Sequence, residues 1–172
     1  MKKLSEEYPI RTGVVISAVD LVKGIGIYAG LESIKVIGAT GLYNTNYEGK
    51  VQAALEALKE KDFVYLHIEA SDEAGHEGDV ELKVKTIEDL DSRVLKPLME
   101  ETENWYEPVT IALLPDHPTP CRIKTHSNSP VPFVIYKPGE TPDEVTEFNE
   151  FSIEKGKYGL LKGNEFIKSF FR

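Results

Sequence analysis

Short apolar and β-branched runs recur along this chain, and segments with apolar residues at helical spacing lie between them. The runs predict strands at residues 12–17, 33–37, 63–68, 109–114 and 131–136. The run FVYLHI at 63–68 is almost continuously apolar, which is typical of a strand covered on both faces.

Helices are predicted between these strands. Residues 19–29 are predicted to be helical although Gly24 and Gly26 both weaken a helix. Residues 45–48 (TNYE) have capping-box spacing and predict the start of a helix that ends near Lys61. A longer helix is predicted from residue 80 onward, with one apolar stripe formed by Val80, Val84, Ile87, Val94 and Leu98.

The alternation of strands and helices predicts an α/β fold with a mainly parallel sheet and helices on both faces. The length of 172 residues suits one domain over residues 1–172. In such sheets, ligands bind in the crevice beyond the carboxyl ends of the strands. Residues that directly follow the predicted strands are therefore the first candidates for a functional site.

Charge and composition limit the classes of partner that the chain could bind. The net charge of −9 argues against a nucleic-acid or acidic-membrane partner, because no basic stripe offsets it. No run approaches the roughly 20 apolar residues of a membrane span. The single cysteine, Cys121, fits a reducing cytoplasm. A small phosphorylated metabolite is compatible with this charge if bound metal ions supply local cations.

Metal-ligand side chains concentrate in three segments near predicted strand ends. Asp72 and His76 follow the strand at 63–68, Asp116 and His117 follow the strand at 109–114, and His126 precedes the last strand. Mixed carboxylate and imidazole ligands suit manganese or zinc. Each signal alone is typical of a solvated helix face, a turn or a surface histidine. Their convergence at one edge of the predicted sheet favours a metal site.

Other residues are weaker candidates. Lys23 and Arg11 could pair with a phosphate or carboxylate, although a solvated charge explains Arg11 more simply. His67 is predicted to be a packing residue within a strand. Ser71, beside Asp72, has no general base placed for it, so it is a weak substitute for a nucleophile.

Four motifs together carry a resemblance to a known family: AVDLVKGIG at 18–26, GATG at 38–41, DEAGH at 72–76 and LPDHPTP at 114–120. This combination resembles the archaeal type of cofactor-independent phosphoglycerate mutase, in the alkaline phosphatase superfamily. The family interconverts 2- and 3-phosphoglycerate through a phosphoserine intermediate.

The resemblance runs from about Arg11 to the C-terminus and implies two divalent metal ions, usually manganese. It implies that Asp72, His76 and His126 bind one ion and that Asp116 and His117 bind the second. Zinc and cobalt also accept such ligands. The position of Lys23 within the motif at 18–26 favours it as a contact for the substrate phosphate.

The family also has an aspartate and the nucleophilic serine in an N-terminal segment, and nothing here resembles that segment. Residues 1–172 are therefore expected to form the C-terminal part of a metal-dependent phosphatase or mutase catalytic domain without its nucleophile. The isolated chain is expected to have no mutase turnover. A sheet without its neighbouring strands would expose an edge, which favours self-association.

Two other functions remain open. Another metal-dependent phosphatase or phosphotransferase of the same superfamily would use the same ligands, although the motif at 18–26 favours the mutase. A non-catalytic metal-binding domain would need no nucleophile at all.

Overall fold

The computed structural model describes residues 2–172. A short helix, α1 (Leu4–Glu7), precedes the first strand. The elements that follow are β1 (Gly13–Ile16), α2 (Asp20–Tyr28), β2 (Glu32–Ile34), α3 (Tyr47–Leu58), β3 (Phe63–Leu66), α4 (Ala70–Glu77), α5 (Val80–Leu90), a π-helical turn (Asp91–Leu95), α6 (Lys96–Thr102), β4 (Ile111–Leu113), β5 (Val134–Tyr136), a 3-10 turn (Ser152–Lys155) and α7 (Glu165–Phe170).

The strands form a parallel three-stranded sheet in the order β2-β1-β3 and an antiparallel pair, β4-β5. Val14 of β1 is in register with Glu32 on one side and with Val64 on the other. Ala112 is opposite Ile135 in the antiparallel pair. The predicted α/β fold with a parallel sheet is confirmed. The predicted strands at 109–114 and 131–136 form in shorter versions, and they pair with each other.

The central strand β1 is buried along its whole length and explains the placement of two helices. Val14 and Ile16 pack against Ala54 of α3. Val15 points to the opposite face, where a Cβ atom at Gly26 of α2 would come within 2.6 Å of the Val15 Cγ1. The alternation of side chains along a strand therefore places α2 and α3 on opposite faces of the sheet. Gly26 weakens the helix but allows this close approach.

The start of α3 lies close to its predicted position, but the predicted capping box is wrong. Asn46, one residue beyond Thr45, caps the helix by accepting a hydrogen bond from the Gly49 backbone N–H at 2.9 Å. Glu48 cannot complete the box because both of its carboxylate oxygens accept hydrogen bonds from Arg93, at 2.6 and 2.9 Å. A partner distant in sequence therefore displaced the local interaction.

The predicted apolar stripe from residue 80 to residue 98 is also wrong as a single buried face. Val80, Val84 and Ile87 are 62%, 52% and 52% exposed, whereas Val94 is buried. The π-helical turn at Asp91–Leu95 separates these two groups, and such a turn adds residues that rotate the helix face. Val94 joins a core cluster with Tyr47, Val51, Leu55 and Ala70.

Strand β3 is less covered than its composition predicts. Phe63, Val64 and Leu66 are half-buried and Tyr65 is exposed, so the expectation of full cover on both faces is wrong for this chain. Within residues 2–172, β3 pairs only with β1. The C-terminal aromatic rings pack near it, with the Phe171 ring 6.0 Å from that of Phe63. No helix in the described part of the chain is long and apolar enough to cross a membrane.

Candidate metal centre

Two segments with candidate ligands follow strand ends directly. Helix α4 begins four residues after β3 ends, and the loop with Asp116 and His117 begins after β4. Because α4 is a regular helix, Asp72 in its first turn and His76 in its last lie on one face. Gly78, with a left-handed φ of 76°, ends the helix there.

Asp72, His76 and His126 come together as the sequence predicts. The Nε2 atoms of His76 and His126 are 3.0 Å apart. The Asp72 Oδ2 lies 3.4 Å from the His76 Nε2, and the Asp72 Oδ1 lies 3.4 Å from the His126 Nε2. We refer to these three residues as the triad.

The triad fits a divalent ion. Ligand atoms at about 2.0–2.2 Å from a metal lie roughly 3.0–3.5 Å from one another in tetrahedral or octahedral geometry. The three distances within the triad fall in that range, and the two imidazoles face different oxygens of the Asp72 carboxylate. Two imidazole nitrogens and a carboxylate oxygen also form a chemically suitable donor set for zinc or manganese.

The backbone fixes the orientation of His76. Its Nδ1 lies 3.1 Å from the carbonyl oxygen of Lys124. Because a carbonyl oxygen only accepts hydrogen bonds, the Nδ1 carries the proton, and the Nε2 lone pair faces the triad. Lys124 presents this carbonyl from a left-handed conformation with φ 54°, which is uncommon for a residue other than glycine.

Asp116 and His117 form a second, more open pair beside the triad. The His117 Nε2 lies 3.5 Å from the Asp116 Oδ2, and the Asp116 side chain is 62% exposed. The ring of His117 is 3.8 Å from that of His126, centroid to centroid. The His117 Nδ1 is 3.9 Å from the Asp72 Oδ1. All five predicted ligands therefore lie in one region.

A family model described as the metalloenzyme superfamily matches residues 3–167 of the chain. The chain belongs to the metalloenzyme superfamily.

Curated relatives of the chain have names that match the resemblance seen in the sequence. The 2,3-bisphosphoglycerate-independent phosphoglycerate mutase of Methanosarcina mazei is 56% identical over 158 residues, which cover 91% of this chain and 40% of the relative. The chain thus spans about two fifths of the length of that relative. The resemblance to this group of mutases is confirmed.

Two solved structures share the fold of this metalloenzyme-superfamily chain. A Pyrococcus horikoshii protein is 35% identical and has a TM-score of 0.89 over 98% of this chain and 50% of its own length. The cofactor-independent phosphoglycerate mutase of Thermoplasma acidophilum is 25% identical, with a TM-score of 0.67 over 91% of this chain and 35% of its own.

A buried threonine in this metalloenzyme-superfamily chain supports both ligand groups and was missed in the sequence. The Thr119 hydroxyl makes a short hydrogen bond to the Asp72 Oδ1 and lies 3.3 Å from the His117 Nδ1. The ammonium group of Lys83 donates to the Thr119 carbonyl at 2.7 Å. The placement of Thr119 between two prolines in the LPDHPTP motif was the only signal in the sequence, and turn geometry explained it equally well.

A fully buried lysine lies beneath the loop that leads into α4. Lys50 reaches the carbonyl oxygen of His67 at 3.4 Å, and burial lowers the pKa of its ammonium group. Burial, and then the nearby Glu73 and Asp72, raise the pKa of Glu69, whose charge acts on Lys50 in turn. A lysine on the apolar stripe of α3 was the signal that could have revealed this layer.

His67 is a half-buried residue with a polar partner, beyond the packing role predicted for it. Its Nδ1 lies 3.1 Å from the Ser17 hydroxyl oxygen. Burial lowers the pKa of the His67 imidazole, and the charge of Asp116 opposes this shift. The charge of Asp116, one member of the second pair, therefore acts on the His67 ring.

The two candidate cations are placed differently from the five ligands. Lys23 lies in the first half of α2, which begins just after β1, and its ammonium group pairs with Asp20 at 2.7 Å. Arg11 is 91% exposed and lies 3.7 Å from Asp62, as expected of a solvated charge.

Proposed function

We propose that this chain provides metal-binding residues of a 2,3-bisphosphoglycerate-independent phosphoglycerate mutase. In this proposal the whole enzyme interconverts 2- and 3-phosphoglycerate by phosphoryl transfer through a phosphoserine. The triad holds one divalent ion, and Asp116 and His117 contribute to a second. The spacing of the triad, 3.0–3.4 Å between its ligand atoms, is the observation that carries the proposal.

The names of the relatives support the mutase over other phosphatases or phosphotransferases, because many of them are described as phosphoglycerate mutases. A domain that binds metal without catalysis would explain the triad equally well. It would not explain why the match to mutases extends over 91% of the chain.

Bound divalent ions would supply positive charge next to the phosphoryl oxygens of the substrate. The chain's own residues prepare that environment. The Lys124 carbonyl holds the His76 ring with its Nε2 toward the triad, and Asp72 brings a carboxylate to both imidazoles. We infer manganese as the ion in use, with zinc and cobalt as alternatives that the same donors accept.

The substrate side of the proposal rests on Lys23. Lys23 lies in the first turn of α2, the helix that follows the carboxyl end of β1, and ligands collect at that edge of an α/β sheet. The contact would require Lys23 to exchange its exposed partner, Asp20, for the phosphate.

We infer a cytoplasmic location from the single cysteine, Cys121, which has no partner within the chain for a disulfide.

Calorimetric titration with manganese tests the metal-binding part of the proposal. We expect the chain to bind one ion more tightly than the second, and the affinity of the tighter site to fall in an Asp72→Ala variant. A matched control is Asp79→Ala, because Asp79 caps α5 through the Leu82 backbone N–H and is not one of the proposed ligands. Equal manganese binding by the wild type and the Asp72 variant would contradict the proposal.

The mutase assignment has its own test. No motif of this chain resembles the family's nucleophilic serine segment, so we expect the 172-residue chain alone to leave 3-phosphoglycerate unchanged. Conversion to 2-phosphoglycerate by the pure chain would contradict the expectation that this chain lacks the nucleophile.

Self-association through the half-covered edge strand β3 is also proposed, and sedimentation at increasing concentration would detect it.

A further inference from the structure

We propose that Thr119 is a positioning residue that ties the two candidate metal sites together. Its hydroxyl orients the Asp72 carboxylate and determines which ring nitrogen of His117 is free to bind a metal. This inference rests on the proposed metal-binding function and deepens it.

Counting hydrogens on the Thr119 hydroxyl gives the direction of each hydrogen bond. A hydroxyl has one hydrogen, and an ionised carboxylate can only accept. The hydroxyl therefore donates to the Asp72 Oδ1. Its contact with the His117 Nδ1, at 3.3 Å, must then be one in which the ring N–H donates to the threonine oxygen.

The tautomer of His117 follows from this direction. With the proton held on the Nδ1, the lone pair lies on the Nε2. The Nε2 is the nitrogen that faces the Asp116 Oδ2, at 3.5 Å. Thr119 thus prepares the second pair for a metal, and the same oxygen atom holds a ligand of the triad. Partners of this kind, which fix tautomer and orientation, typically contribute ten- to hundredfold to metal affinity.

The surroundings of Thr119 hold it in place. The residue is only 3% exposed. Lys83 of α5 donates to its carbonyl oxygen at 2.7 Å. Gly75 of α4 leaves no room between the helix and the loop, since a Cβ atom there would collide with the Thr119 carbonyl oxygen. Two helices therefore fix the backbone of a residue whose hydroxyl has only predicted ligands as partners.

The ring nitrogens of His117 provide a test that needs no metal. We would record nitrogen NMR of the ring nitrogens in the metal-free chain. A His117→Gln variant assigns the signal. We expect the proton on the Nδ1 in the wild type and a shift toward the Nε2 form in Thr119→Val. A wild-type proton on the Nε2, or an unchanged tautomer in Thr119→Val, would overturn the inference.

Manganese titration then measures the consequence. We expect Thr119→Val to lower the affinity of both sites about ten- to hundredfold, and Thr119→Ser, which keeps the hydroxyl, to restore it. Thr102→Val is the matched control, because it removes another buried hydroxyl, one that bonds only to the backbone carbonyls of Leu98 and Met99. Wild-type affinity in Thr119→Val would overturn the inference.

If the wild-type chain binds no manganese, the proposed metal-binding function fails. The role of Thr119 in setting the His117 tautomer is then still decided by the ring nitrogen signals. The two failures can therefore be told apart.

Discussion

The triad and the pair formed by Asp116 and His117 lie side by side but differ in how the fold holds them. The triad takes two candidate ligands from one face of α4 and a third from the segment before β5, and the Lys124 backbone fixes one of its rings. The pair lies on a loop, and its carboxylate is mostly exposed. A regular helix holds two ligands at once, whereas a loop needs outside support for each.

This difference indicates a division between a largely preformed site and one that depends on its neighbours. The triad has three candidate donors whose ligand atoms all lie within 4.8 Å of one another. The pair has two, and Thr119 supports the imidazole from the side of the triad. We therefore expect the triad to bind its ion tightly and the pair to bind weakly in this chain.

The largest expected difference in manganese affinity comes from removing one carboxylate from the triad or one from the pair formed by Asp116 and His117. Asp72→Ala should weaken the tighter site by more than about a hundredfold, because it removes a ligand rather than an outer partner. Asp116→Ala should weaken only the weaker site. Calorimetric titration with manganese measures both. Equal losses in the two variants would remove the distinction between a preformed site and a dependent one.

A substitution in α4 should disturb the triad without removing a ligand. In Gly75→Ala the new Cβ atom meets the Thr119 carbonyl oxygen, so we expect a loss of about 1–3 kcal/mol in the free energy of unfolding. The manganese affinity of the triad should also fall. Urea denaturation and metal titration are the measurements.

Gly24→Ala in α2 is the matched control for this substitution. Nothing lies within 4 Å of a Cβ atom at Gly24, so the change should stabilise the helix by up to about 1 kcal/mol. Its metal affinity should be unchanged. If both glycine variants bind manganese like the wild type, the packing of α4 on the loop does not support the triad.

The smallest expected effect concerns pH and His67. Burial lowers the pKa of His67, so its neutral form stabilises the fold fully above about pH 6.5, the ordinary histidine value. This contribution is lost as the pH falls through the lowered value in the folded chain. Asp116 opposes the shift more strongly than Asp72 does. NMR titration of the His67 ring should therefore show a lower pKa in Asp116→Asn, and a smaller decrease in Asp72→Asn.

A larger decrease of the His67 pKa in Asp72→Asn than in Asp116→Asn would show that Asp72 acts on His67 more strongly than Asp116 does. No change in either variant would show that the carboxylates do not act on His67 at all.

Local patterns predicted the parts of the fold that local interactions determine. The β-branched run before Ser17 forms β1, and residues 20–28 are helical despite two glycines. The exposed positions Val80, Val84 and Ile87 were not predictable by periodicity, because the π-helical turn rotates the helix face only in the folded chain. Likewise, Glu48 accepts hydrogen bonds from Arg93, which is 45 residues away in the sequence, and does not complete the predicted capping box.

In the candidate site, too, the sequence predicted the residues with a chemical signature and missed those whose role depends on the fold. The residue types and strand-end positions predicted five candidate ligands, and the structure brings these five side chains into one region. The supporting residues Thr119, Lys83 and Lys50 were missed, since their roles depend on burial and on partners that lie far away in sequence. A threonine and two lysines have no chemical signature of their own until the fold places them.

Metal analysis of the purified chain, beside the double variant Asp72→Ala, His126→Ala, tests the central claim most directly. After dialysis against micromolar manganese, the wild type should retain about one equivalent of metal that the double variant lacks, while circular dichroism shows both to be folded. Equal metal content in the two proteins would contradict the assignment of the triad as the main metal site.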